Sequence, residues 1–323
     1  MRWKPSTPSW SEGGNVRKSG FTLIELLVAL GIGALLLGLL LSTTLANRRL
    51  YVLDQSRTAT NQNLRAALDL LVADVRQAGE RLPADFPAVE VKQGTGGAPD
   101  ALILRRNLLD EVLLLCDQNG IDGNQDNIPV AAKNTNQLPE AYRSVCQFRD
   151  GDGNGMDDRI DRWRAFRCAQ DGNPACATST RHGDKVRAYL YDPLTGRGEW
   201  FVYDAEDQSG VKIHKGNAER WQASYPLGSR IYLLEERRYF VKDGQLKLAE
   251  NGEADDAAKG VVAGVRDFQV RAQVGGAWLS GDFPQTGQSW RALQGLELRL
   301  RVRVGQVERE LVTKALPRNV LSQ

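Results

Sequence analysis

The side chains best placed to do chemistry in this chain lie in Asp150-Gly151-Asp152-Gly153-Asn154-Gly155-Met156-Asp157-Asp158-Arg159-Ile160-Asp161. Counted from Asp150, side-chain oxygens stand at positions 1, 3, 5, 9 and 12 of a twelve-residue run, with glycine at 6. With the backbone carbonyl of Met156 at position 7, this is the spacing that wraps hard oxygen ligands around one calcium ion, the glycine allowing the sharp turn. The expected cofactor is Ca2+, held by Asp150, Asp152, Asn154, Met156, Asp158 and Asp161; the competing reading is a solvated acidic turn. Asp117–Asp126 echoes the run loosely, with irregular spacing and no donor at the twelfth place.

All four cysteines, Cys116, Cys146, Cys168 and Cys176, fall around this loop. In an oxidising compartment an even count implies two disulfides. Three connectivities are open, and the low cost of closing short loops favours Cys116–Cys146 with Cys168–Cys176. Zinc is disfavoured, since there is no CxxC and no histidine nearby at ligand spacing. The chain has only two histidines, His182 and His214, and no G-x-S-x-G, HExxH or Cys/His pair, so no enzyme is expected. His214 reads as a surface strand residue.

The elements that position these groups begin with Phe21–Ala46, FTLIELLVALGIGALLLGLLLSTTLA, whose only charge is Glu25. At about 1.5 Å per residue the segment is long enough to cross a bilayer once. The small residue suited to cleavage, Gly20, precedes the apolar run and follows Arg17-Lys18, so cleavage there keeps the helix in the mature chain. The basic pair holds the start in the cytoplasm and sends the C-terminal bulk across. A carboxylate one turn inside such a helix costs about 3 kcal/mol unless paired or protonated, and the amine that cleavage creates at Phe21 is the nearest partner in kind.

Lys18-Ser19-Gly20-Phe21-Thr22-Leu23-Ile24-Glu25-Leu26 resembles the prepilin cleavage and methylation motif of type IV pilins and type II secretion pseudopilins. The resemblance implies that a prepilin peptidase cuts after Gly20 and methylates Phe21. It also implies that Glu25 neutralises the terminal amine of a neighbouring subunit during assembly. The leader, residues 1–20, is longer than is usual for the family, and Val16 is the expected translation start. The implied partners are the peptidase, other minor and major pilins and the inner-membrane assembly platform. The implied location is the bacterial inner membrane, as a single-pass precursor with its head on the extracytoplasmic side, and then the pilus or cell surface.

Beyond the membrane half, residues 21–46, an amphipathic half over 47–80 is expected. Leu64, Leu68, Leu71 and Val75 form one stripe, and Gly79 and Pro83 end it. Residues 81–323 read as a β-rich head with a Cys/Asp-rich insert at about 115–181. Strands are expected at Ala101–Arg105, Glu111–Leu115, Val186–Tyr191, Glu199–Tyr203, Ile231–Leu234, Arg237–Val241, Val265–Gln273 and Leu296–Val304, in an antiparallel sheet because no βαβ alternation occurs. Leu296–Val304 alternates apolar and charged residues, and a two-residue turn after it sets Arg303 opposite Glu308 and Arg301 opposite Glu310. The fold class is therefore α+β and pilin-like: a long N-terminal helix packed on a largely antiparallel head.

Composition narrows the function. At 41% hydrophobic and 25% charged the chain folds, and its 42 Lys+Arg against 40 Asp+Glu leave no basic footprint. Nucleic acid is therefore not expected as a direct ligand. Val261–Gln273, Trp290–Val304 and Leu316-Pro317-Arg318-Asn319 look similar to W-type minor pilins and J-type pseudopilins. The retained Glu25 argues against a K-type pseudopilin, and the bulk of the insert favours a minor pilin of a type IV pilus, incorporated into the pilus or priming its assembly. The alternatives are a type II secretion J-type pseudopilin and a calcium-dependent adhesin or DNA-uptake pilin. The acidic loop, with Asp at its twelfth position, is more similar to dockerin-like loops than to sensor EF-hands.

Overall fold

The computed structural model describes residues 20–171, 181–216, 220–304 and 307–320. The chain divides into two compact units, Met1–Thr58 and Ala59–Gln323. Helix α1 (Leu23–Gln77) supplies the described part of the first and continues into the second. Among the described residues it is the one helix long and apolar enough to cross a membrane, with a mean hydropathy of 2.6 in its best window. Its first half exposes Leu, Ile and Val all round, as a lipid-facing helix does.

In the second unit the polar half of α1 buries one face. Leu64, Leu68, Leu71 and Val75 sink into a core built with two sheets, so the stripe read from the sequence is the packing face. Gly79 follows with φ of 79°, and a Cβ there would stand 1.9 Å from the Trp290 ring. Only glycine both adopts that left-handed backbone freely and leaves the indole its place.

After α1 come β1 (Val89–Lys92) and β2 (Ala101–Asn107). The chain next runs through β3 (Leu113–Leu114), β4 (Asn127–Pro129), α2 (Glu140–Cys146), α3 (Asp158–Asp171), β5 (Arg181–Asp192), β6 (Arg197–Glu206), β7 (Lys212–Lys215) and β8 (Arg230–Tyr232). It finishes with β9 (Leu234–Lys242), β10 (Gln245–Glu250), β11 (Lys259–Ala263), β12 (Val265–Val274), β13 (Ala277–Trp278), β14 (Leu293–Val304) and β15 (Val307–Ala315). Among the described residues three sheets result, ordered β1-β2-β9-β10-β11, β13-β12-β14-β15 and β3-β8-β5-β6-β7-β4. Every ladder between these strands is antiparallel. The protein is α+β, a long apolar helix followed by antiparallel sheets.

Because β2 pairs directly with β9, everything from β3 to β8 is an excursion between two neighbouring strands. That excursion has a core of its own, in which Leu113, Ile128, Ile160, Trp163, Phe201 and Ile213 are fully or almost fully buried. Phe86 joins it to the first core, lying edge-on to Tyr191 and Tyr232 at 4.8 Å each. On β14, Leu296, Leu298, Leu300 and Val302 face inward. The register places Arg301 beside Glu310 and Arg303 beside Glu308, as the alternation requires.

Candidate functional site

Gly20, Phe21 and Thr22 lie outside helical backbone and are exposed. Thr22 stands just before α1. Its backbone N–H and its hydroxyl both donate to Glu25 Oε2, each at 3.0 Å, while the Glu25 N–H reaches Thr22 Oγ1 at 3.4 Å. This reciprocal capping box satisfies N–H groups that a helix start leaves without partners. Its sequence signal is the hydroxyl-x-x-acid spacing of Thr22 and Glu25 ahead of an apolar run, a feature separate from the cost of a charge in the membrane. Val16, Arg17, Lys18 and Ser19 lie outside the described residues.

The second constellation is the acidic loop. One carboxylate oxygen from each of Asp150, Asp152 and Asp158 lies within 4.8 Å of the other two. Asp150 Oδ2 accepts from the Gly155 N–H at 3.0 Å, whereas Asp150 Oδ1 is shielded from solvent with no hydrogen-bond partner. Gly155, at the sixth position, has φ of 85° and makes the turn. Asn154 links the rest: its Nδ2 donates to Asp152 Oδ2 at 2.9 Å and Asp161 Oδ2 at 2.8 Å, and its Oδ1 accepts from the Met156 N–H at 2.8 Å. The structure thus gathers Asp150, Asp152 and Asp158, ties Asp161 to them through Asn154, and buries the Met156 side chain in the second core. Asp158 and Asp161 occupy the first turn of α3, where the helix dipole favours anions.

Asp157 braces the loop from beneath. Fully buried, it accepts from the Arg149 N–H at 3.0 Å and from Arg159 Nε at 2.7 Å. Burial raises its carboxyl, but the hydrogen bonds from Arg159 and the backbone outweigh burial and hold it below the usual range. Arg159 also donates to the carbonyl of Val145 at 2.5 Å, next to the Cys116–Cys146 disulfide. Behind α3, Arg167 forks onto Glu206 at 2.9 and 3.1 Å with both side chains excluded from solvent. Cys168 is disulfide-bonded too, and its expected partner Cys176 lies outside the described residues. His214 lies on β7 with Nδ1 2.7 Å from Asp204 Oδ1.

The family described as the prokaryotic N-terminal methylation motif matches residues 15–41. No curated protein matches the chain. Among solved structures it is similar to the type IV-like pilin TTHA1219 from Thermus thermophilus, at 10% identity over 80% of this chain and 97% of that one, with a TM-score of 0.34. At that level of likeness no residue is carried across. The methylation motif opens the apolar helix α1, the one helix among the described residues long and apolar enough to cross a membrane.

Proposed function

We propose that the chain is a minor pilin of a type IV pilus system. Its precursor sits in the inner membrane, is cut between Gly20 and Phe21, and joins or primes the filament through Glu25. The observation that carries this reading is the methylation motif over residues 15–41, in register with a capped helix start and one apolar helix. The inserted β3–β8 module adds bulk that a closely packed shaft accommodates poorly, which favours a minor subunit over the major one. The expected partners are the prepilin peptidase, the assembly platform and other pilins. Pili sheared from cells expressing the tagged chain should contain it in processed form. Its recovery only with type II secretion components would instead make it a J-type pseudopilin.

A second proposal rests on the solvent-shielded, unpartnered Asp150 Oδ1 beside Asp152 and Asp158. We propose that this loop holds Ca2+ through those three carboxylates, with Asn154, Met156 and Asp161 completing the set by position. Bound calcium would supply the positive charge that offsets the crowded carboxylates and would stiffen the start of α3. An adhesive or DNA-uptake role would act through this stiffened insert.

A further inference from the structure

Strand β15 ends the sheet β13-β12-β14-β15, and its second edge has no strand beside it among the described residues. Nine residues long, it exposes Glu308, Arg309, Glu310, Val312 and Lys314. Val312, at 48% exposed, is a large apolar side chain open to water on the outer head surface. Long open edges invite pairing with another strand, and charges on them restrict which strand can pair.

The permitted pairing follows from the backbone. Val304 is registered with Val307, and a pair closing a two-residue connection is hydrogen-bonded. The odd-numbered residues of β15 therefore exchange hydrogen bonds with β14, while Glu308, Glu310, Val312 and Lys314 turn theirs toward the open edge. A two-fold antiparallel pairing of β15 with itself must match even positions to even positions. Centred on Glu310 or Lys314 it would set like charges face to face, and centred on Leu311 it would pair Glu308 with Lys314 but set Glu310 against the apolar Val312 of the second copy. Centred on Val312 it sets Val312 against Val312 and places Glu310 opposite Lys314 on both sides of the axis, opposite charges directly across the ladder.

We propose that β15 is a self-pairing edge through which two copies of this chain join their heads into one continuous sheet, with Val312 on the two-fold axis and Glu310 facing the Lys314 of the second copy. The pairing goes beyond the pilin reading and needs neither cleavage at Gly20 nor the charge of Glu25. A single strand pair is a small interface, so it belongs where copies are concentrated in a membrane.

The test uses the full chain in its membrane, with Val312→Cys as the added thiol, since the described cysteines are disulfide-bonded. Facing residues of a hydrogen-bonded antiparallel pair have Cα atoms about 5.5 Å apart, within disulfide reach. Mild oxidation should give a linked homodimer at least about tenfold above that from Asp256→Cys, a control on another exposed loop, because tenfold corresponds to only about 1.4 kcal/mol. Adding Lys314→Glu or Glu310→Lys to Val312→Cys should each abolish the gain, and co-expressing the two variants should restore it between unlike copies. That restoration excludes a folding defect as the cause of either loss. A Val312→Cys chain that stays monomeric overturns the proposal. So do charge variants that cross-link as well as their parent, or a cross-link to a different protein only.

Discussion

Glu25 has a partner in its own chain before any neighbour arrives. Thr22 presents it with a backbone N–H and a hydroxyl at 3.0 Å, so the carboxylate already serves the helix start. Capping and assembly make different demands on the side chain. A capping box accepts Gln as well as Glu, because an amide oxygen can take the same N–H, whereas an amine on a neighbouring subunit needs the charge. Glu25→Gln should therefore leave insertion and processing intact and remove the chain from the pilus fraction. Wild-type recovery of that variant in pili would reduce Glu25 to a cap. The apolar run and its lone acid were legible because both are local. The Thr22 pairing is equally local, its sequence signal being a hydroxyl residue three positions ahead of the acid.

At the scale of elements, the loop, α3 and the disulfide arm form one assembly. Arg159 holds the buried Asp157 and the Val145 carbonyl together, and Arg167 fixes the far end of α3 to Glu206 on β6. A metal binding the native loop and not the unfolded chain adds RT ln(1 + [L]/Kd), about 2.7 kcal/mol at a hundredfold excess. The full chain in detergent should therefore melt higher in calcium than in chelator, and Asp150→Ala with Asp152→Ala should remove the difference. Identical melting in both conditions would leave an acidic turn.

The gathering of Asp150, Asp152 and Asp158 was readable from spacing, whereas the helix α3 that follows was not. Its buried Ile160, Trp163 and Arg167 fall at helical intervals, yet the sequence between them is so polar that the segment reads as a loop. The short strand β4 exists because β7 completes its ladder, a dependence no local pattern displays. Ile231–Leu234 reads as one strand and is in fact a junction. Arg230–Tyr232 belongs to the excursion's sheet, while Leu234 opens β9 in another.

At the scale of the whole molecule, the excursion between β2 and β9 loads the root where the two strands meet. Three adjacent strands are pinned there by one arginine: Arg105 of β2 pairs with Glu90 of β1 and, at 2.6 Å, with Glu236 of β9. Burial raises the Glu90 carboxyl, but the charge and hydrogen bond of Arg105, together with those of Lys92, outweigh burial and leave it below the ordinary value. A carboxyl depressed in the folded state contributes stability above its unfolded value, about pH 4.3, and loses it as pH falls through the folded value. The melting temperature should thus fall more steeply between pH 6 and pH 3, on the order of those values, for the wild type than for Glu90→Gln. Parallel profiles would show that the triad does not set acid stability. The β2–β9 pairing joins residues more than a hundred positions apart, so an antiparallel head was legible while its division into two cores was not.

Cleavage between Gly20 and Phe21 is the step on which the proposed pilin role rests. Mass spectrometry of the N-terminus, on protein extracted from membranes of cells with an active prepilin peptidase, reads it directly. A processed pilin should begin at Phe21 and carry one added methyl group on its amine. A chain that retains Arg17-Lys18-Ser19-Gly20 ahead of Phe21 in those cells would contradict that role.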